Sequence, residues 1–517
     1  MILITSASYA NAGLVSEFGK LPTCMLPVQN CRLYEHQFGL FPPGEKIVLS
    51  LPQNFRLPIY DRYKFEQNGV QTVFVPESLS LGQSVVYVLN VVVDYSEPLY
   101  LLHGDTLFRH IPFKEDCCLV ASAEDNYSWW QLNSDSKKRT VYAGYFSFSS
   151  QSLLIQKITE NKYDFMQGIM EYGKIIPLEA VEVKDWLDFG LVNSFYRSIS
   201  KMTTQRVFND LKVSRYSIRK ISKDSNKILA EARWFELLPK KMKHYAPSLW
   251  DSGIETGKGY YEIEYYFLSS LASLFVFSRN PLFVWKEILE ACVEFINDAS
   301  RYQPENLGEI AERNDLLYAT KTIKRIQQYC CLQGVSLENP WVINGKHVPS
   351  LKEIICETDA LISKEDERFA RLMHGDLCFS NILYDFKSKS IRIIDPRGID
   401  ATGEKSLYGD LRYDVAKLAH SVLGLYDFII SGRFYYSEQG DYDLLLKFEK
   451  DSVIEGVQDY FRMKTFAGYT IEELATYPIM IHLFLSMLPL HSDNDRRQKV
   501  LLANALRLYA EYKKVKS

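Results

Sequence analysis

The chain has 517 residues, with 60 basic against 64 acidic side chains and a formal net charge of −4. At roughly 100–200 residues per domain that length suggests about three folding units, or fewer if one is a large bilobal enzyme. The balance of 47% hydrophobic and 24% charged residues excludes a wholly disordered chain, a collagen and a coiled-coil rod, and the near-neutral charge offers no global basic field for nucleic acid.

The nine cysteines show no C-x-x-C spacing, which argues against zinc ribbons and for reduced thiols in a cytoplasmic protein. The N-terminal M-I-L-I-T-S lacks a basic n-region, so no signal peptide is expected. The longest apolar runs, Val85–Val93 and Ile479–Leu490, fall short of the roughly 20 residues that span a bilayer.

In chain order, Met1–Ser6, Lys46–Leu51, Val70–Val75, Leu99–Leu102 and Leu119–Ser122 read as strands, Gly82–Leu89 as a helix and Phe189–Met202 as a closing helix. The alternation predicts an α/β domain with a mainly parallel sheet over residues 1–203, and the polar Thr203–Gln205 marks its boundary. Beyond it, Val213–Ile221 and Tyr260–Phe267 are strand-like and Lys227–Leu238 is helical. Helical periodicity then dominates through Phe283–Ala299, Leu317–Cys331, Leu351–Ser363, Leu411–Leu423, Asp441–Phe461 and Ile471–Leu488.

The most specific signal is H-G-D-x-x-x-x-N at His374, Gly375, Asp376 and Asn381, followed by D-P-R-G at Asp395–Gly398. Two short apolar runs, Ile382–Tyr384 and Ile391–Ile394, flank a turn at Lys387–Ser390 and predict a hairpin that brings Asn381 back to Asp395. The arrangement suits phosphoryl transfer: Asp376 accepts or orients the proton of an attacking hydroxyl, while Asn381 and Asp395 offer hard oxygens to Mg²⁺.

These residues resemble the aminoglycoside phosphotransferase and choline kinase-like branch of the protein-kinase fold. The resemblance implies an α+β bilobal domain over 204–517, with a small lobe at 204–266 and a helical large lobe at 267–517. It also implies ATP and Mg²⁺ as cofactors, Asp376 as catalytic base, and Asn381 and Asp395 as metal ligands. Lys220, with Arg219 as the fallback, is expected to hold the α/β-phosphates, and Glu231, 11 residues on, to hold that lysine. Tyr260–Tyr266 fits the connector between lobes, with Glu264 and Tyr266 beside adenine. Asp410 and Asp414 are expected to brace the catalytic loop, a helix N-cap being an equal reading for Asp410. No glycine lies between Thr203 and Lys220, so no glycine-rich loop covers the phosphates. Only Ile399–Gly409 separates D-P-R-G from the next ordered-looking run, which favours a small hydroxyl acceptor (a sugar, polyol or amino alcohol) over a peptide. An acidic groove beside Asp376 is expected for a polyol or amine, a flat surface for the alternative, a protein kinase.

Residues 1–203 resemble sugar-phosphate nucleotidylyltransferases. The carrying residues are the first strand, the stretch G-D-T at Gly104–Thr106, and Trp186–Gly190 before the closing helix. The resemblance implies that Asp105 and Asp188 hold Mg²⁺ between a second NTP, CTP or another, and a sugar phosphate. The family's glycine-rich loop and Lys-Pro are replaced by Ser6–Gly13 and Thr23–Cys24, with Lys20 as a candidate substitute. A domain that binds a nucleotide-sugar without turning it over is therefore the alternative. His103 and His110 flank Asp105 without a third ligand and read as strand-end histidines. A fusion of this kind resembles enzymes that prepare surface-polysaccharide precursors. No nucleic acid partner or membrane span is expected, and the sequence leaves the oligomeric state open.

Overall fold

The computed structural model describes residues 1–122, 131–133, 140–202 and 209–516. The chain divides into two compact units, Met1–Met202 with Phe277–Arg279, and Thr203–Val276 with Asn280–Ser517. The expected boundary at Thr203–Gln205 lies outside the described residues.

The first unit is built on β1 (Ile2–Thr5), β2 (Ile47–Pro52), β3 (Gln71–Val75), β4 (Leu99–His103), β5 (Cys117–Ser122), β6 (Thr140–Phe148) and β7 (Glu179–Glu182). They lie in the order β7-β5-β6-β4-β1-β2-β3, with Gln131–Asn133 pairing on β6. β1 runs parallel to both β2 and β4, β2 to β3, and β7 to β5. Only β6 runs against that direction, and the short strand pairing on it runs antiparallel to it. The sheet is thus mostly parallel with one reversed strand inserted. β2 is buried along its whole length, which accounts for its continuous apolar reading.

Helix α1 (Leu81–Val92) starts at Ser80, whose hydroxyl accepts the Gln83 amide while the Gln83 side chain returns to the Ser80 amide. It buries Val85, Val88 and Leu89 in the cluster that holds Leu3, Leu101 and Phe146. Helix α2 (Val192–Lys201) closes the unit.

The second unit opens with β8 (Asn209–Val213), β9 (Ser217–Ser222), helix α3 (Ser225–Leu237), β10 (Leu249–Glu255) and β11 (Lys258–Glu264). The strands form an antiparallel sheet in the order β8-β9-β11-β10. The single strand expected over Val213–Ile221 is a hairpin instead. The Ser214 hydroxyl accepts the Tyr216 and Ser217 amides and turns the chain. The strand expected over Tyr260–Phe267 ends at Glu264, so only the residues after it connect to the helical part.

That part contains α4 (Leu282–Ala299), α5 (Ala319–Gln333), α6 (Leu351–Asp359), a hairpin of β12 (Ile382–Asp385) and β13 (Ser390–Ile393), α7 (Leu411–Val422), β14 (Tyr435–Gly440), β15 (Asp443–Lys447), α8 (Ser452–Arg462), α9 (Thr476–Ser486) and α10 (Asp495–Lys516). The helix expected over Asp441–Phe461 divides in two. Its first half is β15, paired with β14 through a turn in which Tyr442 takes φ +61. Its second half is α8, started by Asp451, whose carboxylate accepts the Val453 and Ile454 amides. No helix among the described residues is long and apolar enough to cross a membrane. No disulfide joins any of the nine cysteines.

The core of the first unit gives a direct check. Leu89 is fully buried beneath the sheet, so Leu89→Ala is expected to destabilise that unit by about 2–5 kcal/mol, measured by chemical denaturation. A change under half a kcal/mol would show that α1 does not pack as described.

Candidate functional site

The loop of the second unit that carries His374, Gly375 and Asp376 is held from three sides. His374 is buried, its ring hydrogen-bonded to the Ile394 carbonyl at 3.0 Å. Burial holds that imidazole neutral, at about 4. Asp414, near the start of α7, accepts the His374 amide at 2.6 Å and the Gly375 amide at 2.7 Å. Burial pushes the Asp414 carboxyl up to about 7 despite those two donors. Asp410 does not reach the loop. It caps α7, pairs with Arg412 at 2.7 Å and accepts the Tyr318 hydroxyl. Gly375 has φ +82, and a Cβ there would lie 2.6 Å from the Arg397 Cβ, which excludes a side chain at the residue before Asp376.

Asp376 is approached on both oxygens. Its Oδ2 accepts from the Asn381 amide at 3.1 Å, and its Oδ1 lies 2.8 Å from Lys417 Nζ. Burial pushes the Asp376 carboxyl up, but the Lys417 ammonium more than reverses this and holds it at about 2. The side chain keeps 42% of its surface exposed and is open to solvent. Lys417 escaped the sequence reading. Its signal was the spacing Asp414-x-x-Lys417, which puts both side chains on one helical face.

The hairpin brings Asn381 and Asp395 to its open end, where the Ile394 amide donates to the Asn381 carbonyl at 2.9 Å. Asp395 sits in the left-handed region at φ +56, a costly conformation for a residue with a side chain. Lys220, on β9, bridges Glu231 Oε2 at 2.7 Å and Asp395 Oδ1 at 3.2 Å. Burial alone would lower the Lys220 ammonium, but Asp395 and Glu231 together raise it. Tyr261, opposite Lys220 in the sheet register, donates to Glu231 at 3.1 Å and to Asp395 at 3.3 Å. It was not anticipated, because its role depends on strand register.

Helix α3 is locked to the loop before Asp376 by Trp234, whose indole N–H donates to the Met373 carbonyl at 2.9 Å. Gly398 allows the same approach: at φ +63, a Cβ there would stand 2.3 Å from the Ala230 carbonyl oxygen. Arg219, the fallback for Lys220, points elsewhere, to Glu255 at 2.6 Å. Glu264 and Tyr266 bond each other at 3.1 Å where β11 ends, and Arg392 stacks over the Tyr266 ring at 5.6 Å.

In the first unit, Asp105 follows the C-terminal end of β4, where the Gly104 amide donates to the Thr5 carbonyl at 2.8 Å. Thr106–Leu107 pairs antiparallel with Leu187–Asp188, setting Thr106 opposite Asp188. A Cβ on Gly190 would lie 2.8 Å from Asp105 Oδ2 and 3.2 Å from Asp188 Oδ1, so both carboxylates face that glycine. Burial first, and then the Asp188 charge, push the Asp105 carboxyl up to about 7. His103 is buried against Phe146 and Phe165. The Lys20 ammonium lies over the Tyr9 ring and 3.4 Å from Glu77. The loop after β1 is tied down by Ser6, whose hydroxyl accepts the Cys24 amide at 3.0 Å. Among the described residues no group of three or more His, Cys, Asp and Glu has metal-binding geometry; the candidate metal ligands come as pairs.

No protein-family model matches the chain, and no curated protein matches it. Among solved structures it is similar to a thermostable mutant of aminoglycoside phosphotransferase APH(4)-Ia in a ternary complex with ADP and hygromycin B. The identity is 11% over 60% of this chain and 92% of that one, with a TM-score of 0.40. It is also similar to aminoglycoside-3′-phosphotransferase of type VIII, at 12% identity over 53% of this chain and 93% of that one, with a TM-score of 0.29. A third likeness is to HddC from Yersinia pseudotuberculosis, at 15% identity over 39% of this chain and 99% of that one, with a TM-score of 0.29. Likeness of this size assigns no family.

Proposed function

We propose that the second unit, within the 204–517 domain read from the sequence, is an ATP- and Mg²⁺-dependent kinase of a small hydroxyl compound. One observation carries the reading: Lys220 is bonded at once to Glu231 and Asp395, at 2.7 and 3.2 Å. In the same unit Asn381 meets Asp376 at 3.1 Å. A strand lysine held by a helix carboxylate and facing a second, partly exposed carboxylate is suited to gripping nucleotide phosphates. Asp395 and the Asn381 side-chain oxygen are hard oxygen donors of the kind Mg²⁺ takes, one or two protein ligands beside phosphate and water. When bound, the metal would neutralise charge on the transferring phosphate. Glu264 and Tyr266 stand where the connector would meet adenine.

Asp376 orients the acceptor hydroxyl. A carboxyl held near 2 is a weak base, so it takes the proton only late, as the new O–P bond forms. Lys417, at its Oδ1, offers a fixed positive charge where charge develops on the transferring group.

For the first unit, the 1–203 domain of the sequence reading, we propose a nucleotidyl-transfer site, with Asp105 and Asp188 holding Mg²⁺ between an NTP and the kinase product. Their shared orientation toward Gly190 supports this. Two carboxylates this close, with burial and then the Asp188 charge holding the Asp105 carboxyl up, are also a natural cation site.

Asp376→Asn should lower turnover by about 10²-fold or more with little change in ATP affinity, whereas Asp395→Ala should weaken Mg·ATP binding. Steady-state ATP consumption with calorimetry of nucleotide binding separates the two. Equal turnover in Asp376→Asn and the parent overturns the catalytic assignment.

In the first unit, Mn²⁺ affinity should climb as pH rises toward about 7, where Asp105 loses its proton, and level off above it. The same raised carboxyl contributes stability at low pH that is lost as pH rises through that value. Asp105→Asn should therefore abolish Mn²⁺ binding yet stabilise the unit at pH 8. Pyrophosphate release from CTP or another NTP in the presence of the kinase product completes the test. Undiminished Mn²⁺ binding in the variant would remove Asp105 from the site.

A further inference from the structure

The two oxygens of Asp376 face different surroundings. Oδ2 meets Asn381, while Oδ1 meets Lys417, and from Lys417 a run of cations continues. Tyr413 stands one helical turn before Lys417 on α7, and its hydroxyl lies 3.3 Å from Lys321 Nζ. The Lys321 ammonium and the Arg397 guanidinium lie 5.6 and 5.8 Å from the centre of the Tyr413 ring. Arg325, one turn after Lys321 on α5, gives one arm to the Ser486 carbonyl at 2.9 Å.

Among the described residues no carboxylate pairs with Lys321, Arg325 or Arg397. The nearby acids are otherwise engaged: Asp414 by two loop amides, Asp410 by Arg412 and Tyr318, and Asp376 by Asn381 and Lys417. The cations repel one another, opposed in part at Lys321 by the Tyr413 hydroxyl. Burial first, and then Arg397 and Arg325, hold the Lys321 ammonium below its usual range. Lys321, Lys417 and Arg397 bring the Tyr413 phenol down to about 8, against burial that pushes it up. Like charges gathered in a partly buried place form a site for a ligand of opposite sign.

We propose that the acceptor of this site carries an anionic group, a phosphate ester or a carboxylate, seated between Lys321, Arg397 and Tyr413 while its hydroxyl meets Asp376. The proposal rests on the kinase reading and deepens it. Four residues of helix separate Tyr413 from Lys417, about 6 Å of rise, which a small sugar or polyol spans. The γ-phosphoryl group passes from ATP to the acceptor oxygen, the hydroxyl proton goes to Asp376 and then to solvent, and ADP leaves. The acidic groove expected for an amine acceptor is replaced on this flank by cations. An amino alcohol would add a positive charge to that repulsion, whereas a phosphorylated or acidic sugar relieves it.

The test is ATP consumption by the full chain over matched sets: glycerol, ribose, glucose and mannose, each with its phosphate esters and its acid. The expected result is that an anionic member exceeds its neutral parent by about 10²-fold or more in kcat/KM, as two charge-assisted contacts would give. The ester and acid arms identify the group. Lys321→Met and Arg397→Met should each reduce the preference about tenfold without altering ATP affinity, and Lys321→Arg should keep it. Equal or better use of the neutral or amino compounds overturns the proposal, as does a preference untouched by both substitutions. If no member is turned over, calorimetry of the same esters and acids with the ADP-bound chain decides. Binding that weakens in Lys321→Met supports the proposal, and no binding overturns it. Failure of ADP itself to bind overturns instead the kinase reading beneath it.

Discussion

The second unit depends on one charge in an enclosed place, the ammonium of Lys220. It is largely buried, and a buried cation is tolerated only when opposite charges and hydrogen bonds complete its surroundings. Glu231 and Asp395 supply them, the first from helix α3, the second from the end of a hairpin 175 residues along the chain from Lys220. Removing either carboxylate leaves the lysine with one partner, so the contact constrains sheet, helix and hairpin together. The surrounding contacts keep those three elements in place. Tyr261 bonds both carboxylates, and Trp234 ties α3 to the loop carrying Asp376.

The same contact explains local backbone choices that otherwise look unfavourable. Asp395 accepts a left-handed conformation, at a cost of order 1–3 kcal/mol, and so directs its carboxylate to Lys220. Gly398, three residues on, must lack a side chain because the chain there lies against the Ala230 carbonyl. Strain and close approach therefore gather within four residues, at the segment where charge has to be positioned.

That segment was legible in the sequence because its chemistry restricts the residue types: a carboxylate, an amide and a second carboxylate at fixed spacing around a hairpin. Lys220 and Glu231 were legible as a strand lysine followed by a helical acid. Tyr261, Trp234 and Lys417 were not, since each acts through a contact that exists only once register and helix packing are set. The apolar run in β15 misled for a different reason. Three consecutive leucines carry neither helical nor strand period, and the decision fell to Tyr442 turning the chain and to Asp451 starting a helix later. Ser214 did the same between β8 and β9. In the first unit the pairing of Asp105 with Asp188 was expected only from the resemblance that residues 104–106 and 186–190 carry, and the structure sets both carboxylates toward Gly190. The loop after β1 carried no comparable signal, and the contact that ties it down, the Cys24 amide to the Ser6 hydroxyl, depends on residues 18 apart that no local pattern announces.

Both units retain like-charge repulsion, of opposite sign. In the first, two carboxylates face one glycine, and the repulsion appears as a proton held on Asp105 to about pH 7. In the second, Lys321, Arg325 and Arg397 gather around Tyr413, and the repulsion appears as a weakened Lys321 and an acidified phenol. A chain selected for stability alone would remove such pairs, since substituting one member by a neutral residue relieves the energy at no cost in packing. Elsewhere this chain does neutralise its buried charges: Asp410 with Arg412, Lys220 with Glu231, Asp376 with Lys417. At these two places a ligand of the opposite sign would complete the charge balance, a cation in the first unit and an anion in the second. The proposed activities need the same two signs: a metal between two phosphates in one reaction, and an acceptor fixed by its own negative charge in the other.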